Sequence, residues 1–300
     1  MNKSDNVEAV ISRINGVYSS WNRSTTIETM RQDWDALYQS SDIHADTEDR
    51  NIAGVPCRWV RPGDISNPAI AMYIHGGGFR LGSNTSHLKL MSDIARAAGC
   101  KLVGVEYRLM PEAIFPSQLD DSYAVYQSLV AEYGADRIIV MGDSAGGGLA
   151  AALLQHIKQT DNSAMPAGCV LLSAWLDMTL SGDSYETRSK SDPVHQTKML
   201  QLLAKEYTGG AGSLDNPLLS PLFGDLSNLP PTLIQVGDCE IGLDDSVNYA
   251  KALEAAGSEV QISVWPEMIH VFQMFSDELV SAEKAIGEIG EFVKAVVKEG

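Results

Sequence analysis

The stretch RIIVMGDSAGGGLAAALLQHI, residues 137–157, reads as a short apolar strand, a tight turn and an Ala/Leu-rich helix. At the turn stands Gly142-Asp143-Ser144-Ala145-Gly146, a G-x-S-x-G pattern in the strand–turn–helix setting that a nucleophile elbow requires. The reason is steric. A serine carried on so sharp a turn has a strained backbone, and only small residues fit on either side of it. Its hydroxyl is lifted off the strand end at a helix N-terminus, where the backbone dipoles favour negative charge. A phosphate-binding loop is the other Gly-rich reading. It fails because no Lys follows the glycines where such a loop needs one.

Outward from this unit the chain alternates. AIAMYI (69–74), KLVGVEY (101–107), RIIVMG (137–142), CVLLSAW (169–175), TLIQVG (232–237) and VQISVW (260–265) are short apolar or β-rich runs. Helical patterns lie between and after them, at about 86–98, 117–132, 145–159, 245–256 and 276–297. Strands apolar on both faces and separated by helices predict a parallel sheet covered on both sides, with right-handed connections. Before the alternation, two helices are expected within the first 40 residues, the second from Thr26 to Tyr38. They are followed by two strands, at 44–46 and 55–60, joined by the polar turn TEDRNIAG. Almost sixty residues without a convincing strand separate CVLLSAW from TLIQVG, and an excursion of that length is characteristic of a lid or binding segment. The expected organisation is an α/β core at 41–176 and 226–300, with a cap made of residues 1–40 and the insertion 177–225 over the sheet edge where such folds bind ligands.

Composition narrows the function. The 300 residues carry 22 Lys+Arg against 39 Asp+Glu, a formal net charge of -17. So acidic a surface repels phosphate backbones and anionic membranes, which argues against nucleic-acid or membrane partners and for a small neutral ligand. No apolar run approaches the ~20 residues of a membrane span, and the first twenty residues lack a secretory signal, so a cytoplasmic location is expected. Cys57, Cys100, Cys169 and Cys239 form no C-x-x-C pair, which predicts no metal site, and the first three are expected as buried reduced thiols.

His75-Gly76-Gly77-Gly78-Phe79 directly follows the strand AIAMYI. Three glycines let a backbone approach a substrate closely and aim its amides at one point. Acyl transfer passes through an oxyanion, and removing one preorganised donor typically costs ~3–4 kcal/mol. The amides of Gly77, Gly78 and Ala145 are the expected oxyanion hole. A serine also needs a base. Of the histidines at 44, 75, 87, 156, 195 and 270, the one placed in the loop after the last strand and downstream of the elbow is His270. His156 lies inside the helix after the elbow and His195 in the insertion. The acid is expected after TLIQVG, where Asp238, Glu240, Asp244 and Asp245 compete. Chain physics alone leaves these four open, although an acid opening a helix commonly caps it, which suits Asp244 or Asp245.

Four motifs together resemble the bacterial hormone-sensitive-lipase-like esterases of the α/β-hydrolase superfamily. They are HGGGF at 75–79, Tyr107-Arg108-Leu109-x-Pro111-Glu112 followed by Phe115-Pro116, the elbow GDSAGG at 142–147, and the His270 loop. Ser173-Ala174-Trp175-Leu176-Asp177 is similar to the family's strand-end motif before the cap. The resemblance implies the α/β-hydrolase fold with a mostly parallel eight-stranded sheet. It also implies hydrolysis of short- to medium-chain acyl esters without metal or cofactor, and in many members a homodimer. The family carries its acid in Asp-Pro-Leu-x-Asp, and Tyr249-Ala250 with Ala255-Ala256-Gly257 set the register so that Glu240 falls on the first Asp and Asp244 on the last. Glu240 is therefore the implied acid and Asp238 the alternative, because Glu stands for Asp and Ile241 for Pro. Glu112 or Arg108 is expected to brace the oxyanion loop, and His75 to be scaffold. The competing classes are a small-molecule receptor on the same fold and an amidase or carbamate hydrolase with the same machinery.

Overall fold

A computed structural model describes residues 5–297. Among them eight strands form one sheet: β1 (Ala45–Ile52), β2 (Val55–Pro62), β3 (Ile70–Ile74), β4 (Lys101–Val105), β5 (Ile138–Asp143), β6 (Gly168–Leu172), β7 (Thr232–Gly237) and β8 (Val260–Trp265), in the order β1-β2-β4-β3-β5-β6-β7-β8. The hairpin strand β2 is antiparallel to both neighbours, and every pairing from β4 to β8 is parallel. The alternation predicts the parallel, doubly covered part of this sheet, and the eight-stranded α/β-hydrolase architecture is the one that the family resemblance implies.

The strands that read as apolar on both faces are buried on both. In β3, Met72 and Ile74 join one core cluster while Ala71 and Tyr73 join the other. The first cluster is closed by α4 (Ser117–Tyr133), α5 (Ser144–Thr160) and α8 (Leu243–Ala255), the second by α3 (Leu88–Ala98) and α9 (Val280–Val296). Burying each Leu, Ile or Val of these stripes is worth about 1.5–3 kcal/mol. A charge at Val140 or Met141, both fully buried on opposite faces of the central strand, would break one stripe or the other.

Two expectations need correction. The polar run TEDRNIAG is not a turn: β1 continues to Ile52 and only Ala53-Gly54, both with positive φ, turn the chain. Its polarity is that of an edge strand, where Asp49 lies opposite Arg58 in the ladder and pairs with it, and Glu48 pairs with Arg61. The last helix begins later than its periodicity indicates, at Val280, after a 3-10 turn at Phe272–Phe275.

Two helical segments stand outside the sandwich. α1 (Val7–Ser20) and α2 (Ile27–Tyr38) precede the sheet, and α6 (Ser184–Thr187) with α7 (Thr197–Tyr207) belong to the insertion between β6 and β7. Val10 and Ile14 of α1 pack against Met268, Phe272 and Phe275 beyond β8. Asp244 and Asp245 do not cap α8, whose N-cap is Gly242. They root the insertion instead. Asp245 Oδ2 accepts the amides of Leu176 and Asp177, its Oδ1 accepts the Tyr185 hydroxyl, and Asp244 Oδ2 accepts the Ser184 amide. Cys57, Cys100 and Cys169 are buried free thiols and Cys239 is half-buried. No helix among the described residues is long and apolar enough to cross a membrane.

Candidate active site

β5 ends and α5 begins at Ser144, whose φ of 51° is the strained left-handed value of a sharp elbow. The flanking glycines are forced by backbone contact. A Cβ at Gly142 would meet the Gly146 carbonyl oxygen at 2.4 Å, and one at Gly146 would meet that of Ile74 at 2.2 Å. The Ser144 carbonyl accepts the Trp175 amide at 2.9 Å, which ties the elbow to the end of β6.

The HGGG loop leaves β3 beside the elbow. Gly77 has a φ of 111° and Gly78 of 63°, and both line the cavity that contains Ser144. No acceptor among the described residues takes either amide. Ala145, in the first turn of α5, has an amide that the helix itself leaves unused. The loop is anchored from behind by Asp143, whose Oδ1 accepts the Gly76 amide at 2.9 Å and the Tyr73 hydroxyl at 2.8 Å. His87 completes this anchor, its Nε2 3.3–3.4 Å from the Asp143 carboxylate and its Nδ1 beside Ser86 Oγ and the Ser83 carbonyl. Burial would lower the His87 pKa, but Asp143, together with the Ser83 carbonyl and Glu106, outweighs this and holds it above the ordinary value. Burial alone would raise the Asp143 pKa, and His87 with Tyr73 holds it below.

His75 is scaffold: its ring stacks on Tyr107 with centroids 4.4 Å apart, and its Nδ1 faces the Gly76 carbonyl. Burial and the neighbouring His87 push its pKa down to about 3. The expected brace is only partly as expected. Arg108 pairs with Asp121, away from the loop. Glu112 pairs with Arg31 of α2, and it is Arg31 that donates to the Arg80 and Met110 carbonyls. The direct brace is Tyr107, whose hydroxyl donates to the His75 carbonyl at 2.8 Å.

On the other side of Ser144 lies the His270 loop. His270 Nδ1 is 2.7 Å from Glu240 Oε2. Glu240 is buried, and its Oε1 accepts the Gly237 amide at 2.6 Å and the Ser173 hydroxyl at 2.8 Å. Ser173 Oγ in turn accepts the Val271 amide, so one hydroxyl ties the end of β6 to both the acid and the imidazole loop. Sequence reasoning missed Ser173; the strand-end motif marked the segment but nothing local marked the residue. Asp238 is turned elsewhere and accepts the Glu267 amide. His270 Nε2 is buried and has no hydrogen-bond partner among the described residues. Burial would lower the His270 pKa, but Glu240, with Asp192 and Asp143 behind it, holds it above 6.5.

Ser144 and His270 line two cavities in common. The larger, about 370 Å³, is mostly apolar and includes Trp21 and Trp34 of the N-terminal segment and Leu202 and Leu203 of α7. The smaller, about 30 Å³, lies against Trp175, Tyr185 and Leu200. Among the described residues no cluster of three or more His, Cys, Asp or Glu is arranged to hold a metal ion.

A family model described as the α/β-hydrolase fold matches residues 71–274. The chain is 38% identical over 244 residues to an acetyl-hydrolase of Streptomyces hygroscopicus, covering 81% of this chain and 80% of that protein. It is 38% identical over 246 residues to an esterase of Acinetobacter venetianus, covering 82% and 80%. A crystal structure of an esterase from the bacterial hormone-sensitive lipase family superposes with a TM-score of 0.93 at 36% identity, covering 99% of this chain and all of the other. The chain belongs to the hormone-sensitive-lipase-like esterases of the α/β-hydrolase superfamily. It is a carboxylic ester hydrolase. In this esterase the sheet's C-terminal edge therefore carries a hydroxyl, an imidazole backed by a carboxylate, and a loop of unclaimed amides within one pocket wall.

Proposed function

We propose that this esterase hydrolyses short- to medium-chain acyl esters through an acyl-enzyme on Ser144, with His270 as base, Glu240 as the acid that orients it, and the amides of Gly77, Gly78 and Ala145 as oxyanion hole. The observation that carries the reading is the state of His270. Its Nδ1 is committed to Glu240 at 2.7 Å while its Nε2 has no partner and shares a cavity wall with Ser144. A neutral imidazole fixed in that way presents a bare lone pair to the cavity that Ser144 also lines. The same contact favours Glu240 over Asp238.

Ser144 Oγ bonds to the ester carbonyl carbon as its proton passes to His270 Nε2, and the carbonyl oxygen takes up negative charge against the loop amides. The C–O bond to the alcohol then breaks, and His270 returns the proton to the leaving oxygen. Water repeats the sequence on the acyl-enzyme, releasing the acid and restoring Ser144. The Glu240 carboxylate stabilises the imidazolium formed in each half. Of the expected cap, residues 5–40 and 177–225 wall the pocket, residues 1–4 lying outside the described ones, and the small cavity of about 30 Å³ supports a short group on one side of the ester. That one relative is an acetyl-hydrolase supports the same end of the range.

The test is Ser144→Ala, assayed on a chain-length series of nitrophenyl esters beside matched amides. Turnover is expected to fall ~10^6-fold with the circular dichroism unchanged. Mass spectrometry of the wild type under rapid quench should find the acyl group on Ser144. A variant that keeps near-normal turnover, or a faster rate on amides than on esters, overturns the reading.

A further inference from the structure

His270 is held from two directions, and Glu240 accounts for one of them. A hydrogen bond at Nδ1 alone leaves an imidazole free to rock, because its Cβ–Cγ torsion is a broad one. The second direction comes from the insertion. His195, in the turn that enters α7, is half-buried and sets its ring edge-on to that of His270, with centroids 4.2 Å apart and planes at 77°. Its side chain lines both the large and the small cavity, so it stands where the two meet at the imidazole.

The turn that carries His195 is itself pinned to the acid loop. Asp192 is buried, and its Oδ1 accepts the amides of Val194 and His195 at 2.8 and 2.9 Å. Its Oδ2 accepts the amide of Ile241, the residue after Glu240, at 2.9 Å. One carboxylate thus spans the insertion and the catalytic loop, and its neighbour in the turn leans on the catalytic ring. We infer that Asp192 and His195 are positioning residues, a latch through which the insertion holds His270 and Glu240 in register for proton transfer. The inference rests on the triad reading above.

The charged and titratable groups around His270 are Glu240, Asp192, Asp143 and His195. Burial and the facing His270 push the His195 pKa down to about 3, so in the working range it adds no charge and acts by contact. Asp192 acts by contact and by charge, since a negative group near His270 favours the imidazolium.

The experiment compares His195→Ala, His195→Phe and Asp192→Asn on a small nitrophenyl ester, with Ser144→Ala alongside. His195→Ala should lower kcat by roughly 10- to 100-fold, the scale of a small misplacement of a catalytic group, with KM little changed. His195→Phe, which keeps a ring in the same place, should recover most of the loss. The downfield proton resonance of His270 Nδ1–H should broaden in the alanine variant and persist in the phenylalanine one. Asp192→Asn should move the acidic limb of kcat/KM to lower pH, because removing the charge makes His270 easier to deprotonate. An unchanged kcat in His195→Ala, or a rise in KM alone, overturns the latch and leaves His195 a pocket wall. If His195→Ala does not fold, kcat of Asp192→Asn on the pH plateau above the limb decides: the latch requires it to fall, and a plateau unchanged while the limb moves shows charge alone and overturns the latch. Activity surviving in Ser144→Ala would instead sink the triad reading, so the two failures are separate.

Discussion

Two carboxylate–histidine pairs flank Ser144, each with a buried carboxylate. On the side of the HGGG loop, Asp143 faces His87 at 3.3–3.4 Å; on the other, Glu240 faces His270 at 2.7 Å. Their chemistry is alike, and in each the carboxylate, together with its neighbours, outweighs burial and raises the imidazole pKa. They differ in what is left over. Both ring nitrogens of His87 have neighbours, Asp143 on one side and Ser83 with Ser86 on the other, whereas His270 keeps Nε2 without a partner. A pair with no spare nitrogen can only hold things in place, here the Gly76 amide and with it the loop. A pair with a spare nitrogen can take a proton. Between these two pairs, what separates a base from a brace is an unsatisfied nitrogen on an imidazole that a carboxylate also holds; His75 Nε2 lacks a partner too, but no carboxylate is hydrogen-bonded to that ring.

The sharpest way to break this contrast is to remove each imidazole in turn. His270→Gln should cost ~10^6-fold in kcat, as loss of a triad base does. His87→Gln should cost at most about 100-fold, through a displaced oxyanion loop, together with a measurable fall in Tm. Equal losses in steady-state assays would erase the distinction.

Next in size is the acid. Glu240→Gln should lower kcat by ~10^4-fold, because an amide favours the wrong tautomer of the imidazole. Asp238→Asn, which touches the backbone of Glu267 and not His270, should stay within a few-fold of wild type. The reverse ranking would transfer the acid to Asp238.

The smallest effect is in pH. The His270 pKa is raised above 6.5, so the acidic limb of kcat/KM should have its midpoint above 6.5. Stability runs the other way. A histidine with a raised pKa stabilises the fold fully below its unfolded value and loses that contribution as pH climbs through the folded one. His87 and His270 both do so above 6.5, while Asp143, lowered from 3.8, loses its contribution only in acid. Tm should therefore decline across the range in which activity rises. His87→Gln should flatten part of that decline without moving the activity limb, read by Tm against pH. A limb that shifts with His87 would mean that the two pairs titrate as one.

The legibility of the site follows sequence distance. The elbow is a contact of a residue with its near neighbours, so Gly142, Ser144 and Gly146 announce it locally. The HGGG loop does the same. The proposed acid is not local: chain physics leaves four carboxylates within eight residues open, the family register singles out Glu240, and it is Glu240 that contacts His270 thirty residues later. The brace is less local still, since Asp143 and His87 are 56 residues apart and nothing around Ser86-His87-Leu88 hints at the match. In the fold, the central strands were legible because burial on both faces leaves an unbroken apolar run. β1 was cut short because an edge strand faces water and is written in the same residues as a turn. Asp244 and Asp245 fit the pattern of helix caps, and only the folded insertion supplied better donors.

Arg31 carries an implication for anyone handling this protein. Its guanidinium reaches from α2 to the carbonyls of Arg80 and Met110 and to Glu112, so the amino-terminal helices are stitched to the stretch that follows the loop glycines. Trimming them, or pulling on them with a bulky fusion, does more than widen an entrance. It uncovers main-chain acceptors beside the glycines, so under the proposed oxyanion role of those glycines a damaged leading end would register as slow chemistry before it registered as poor solubility.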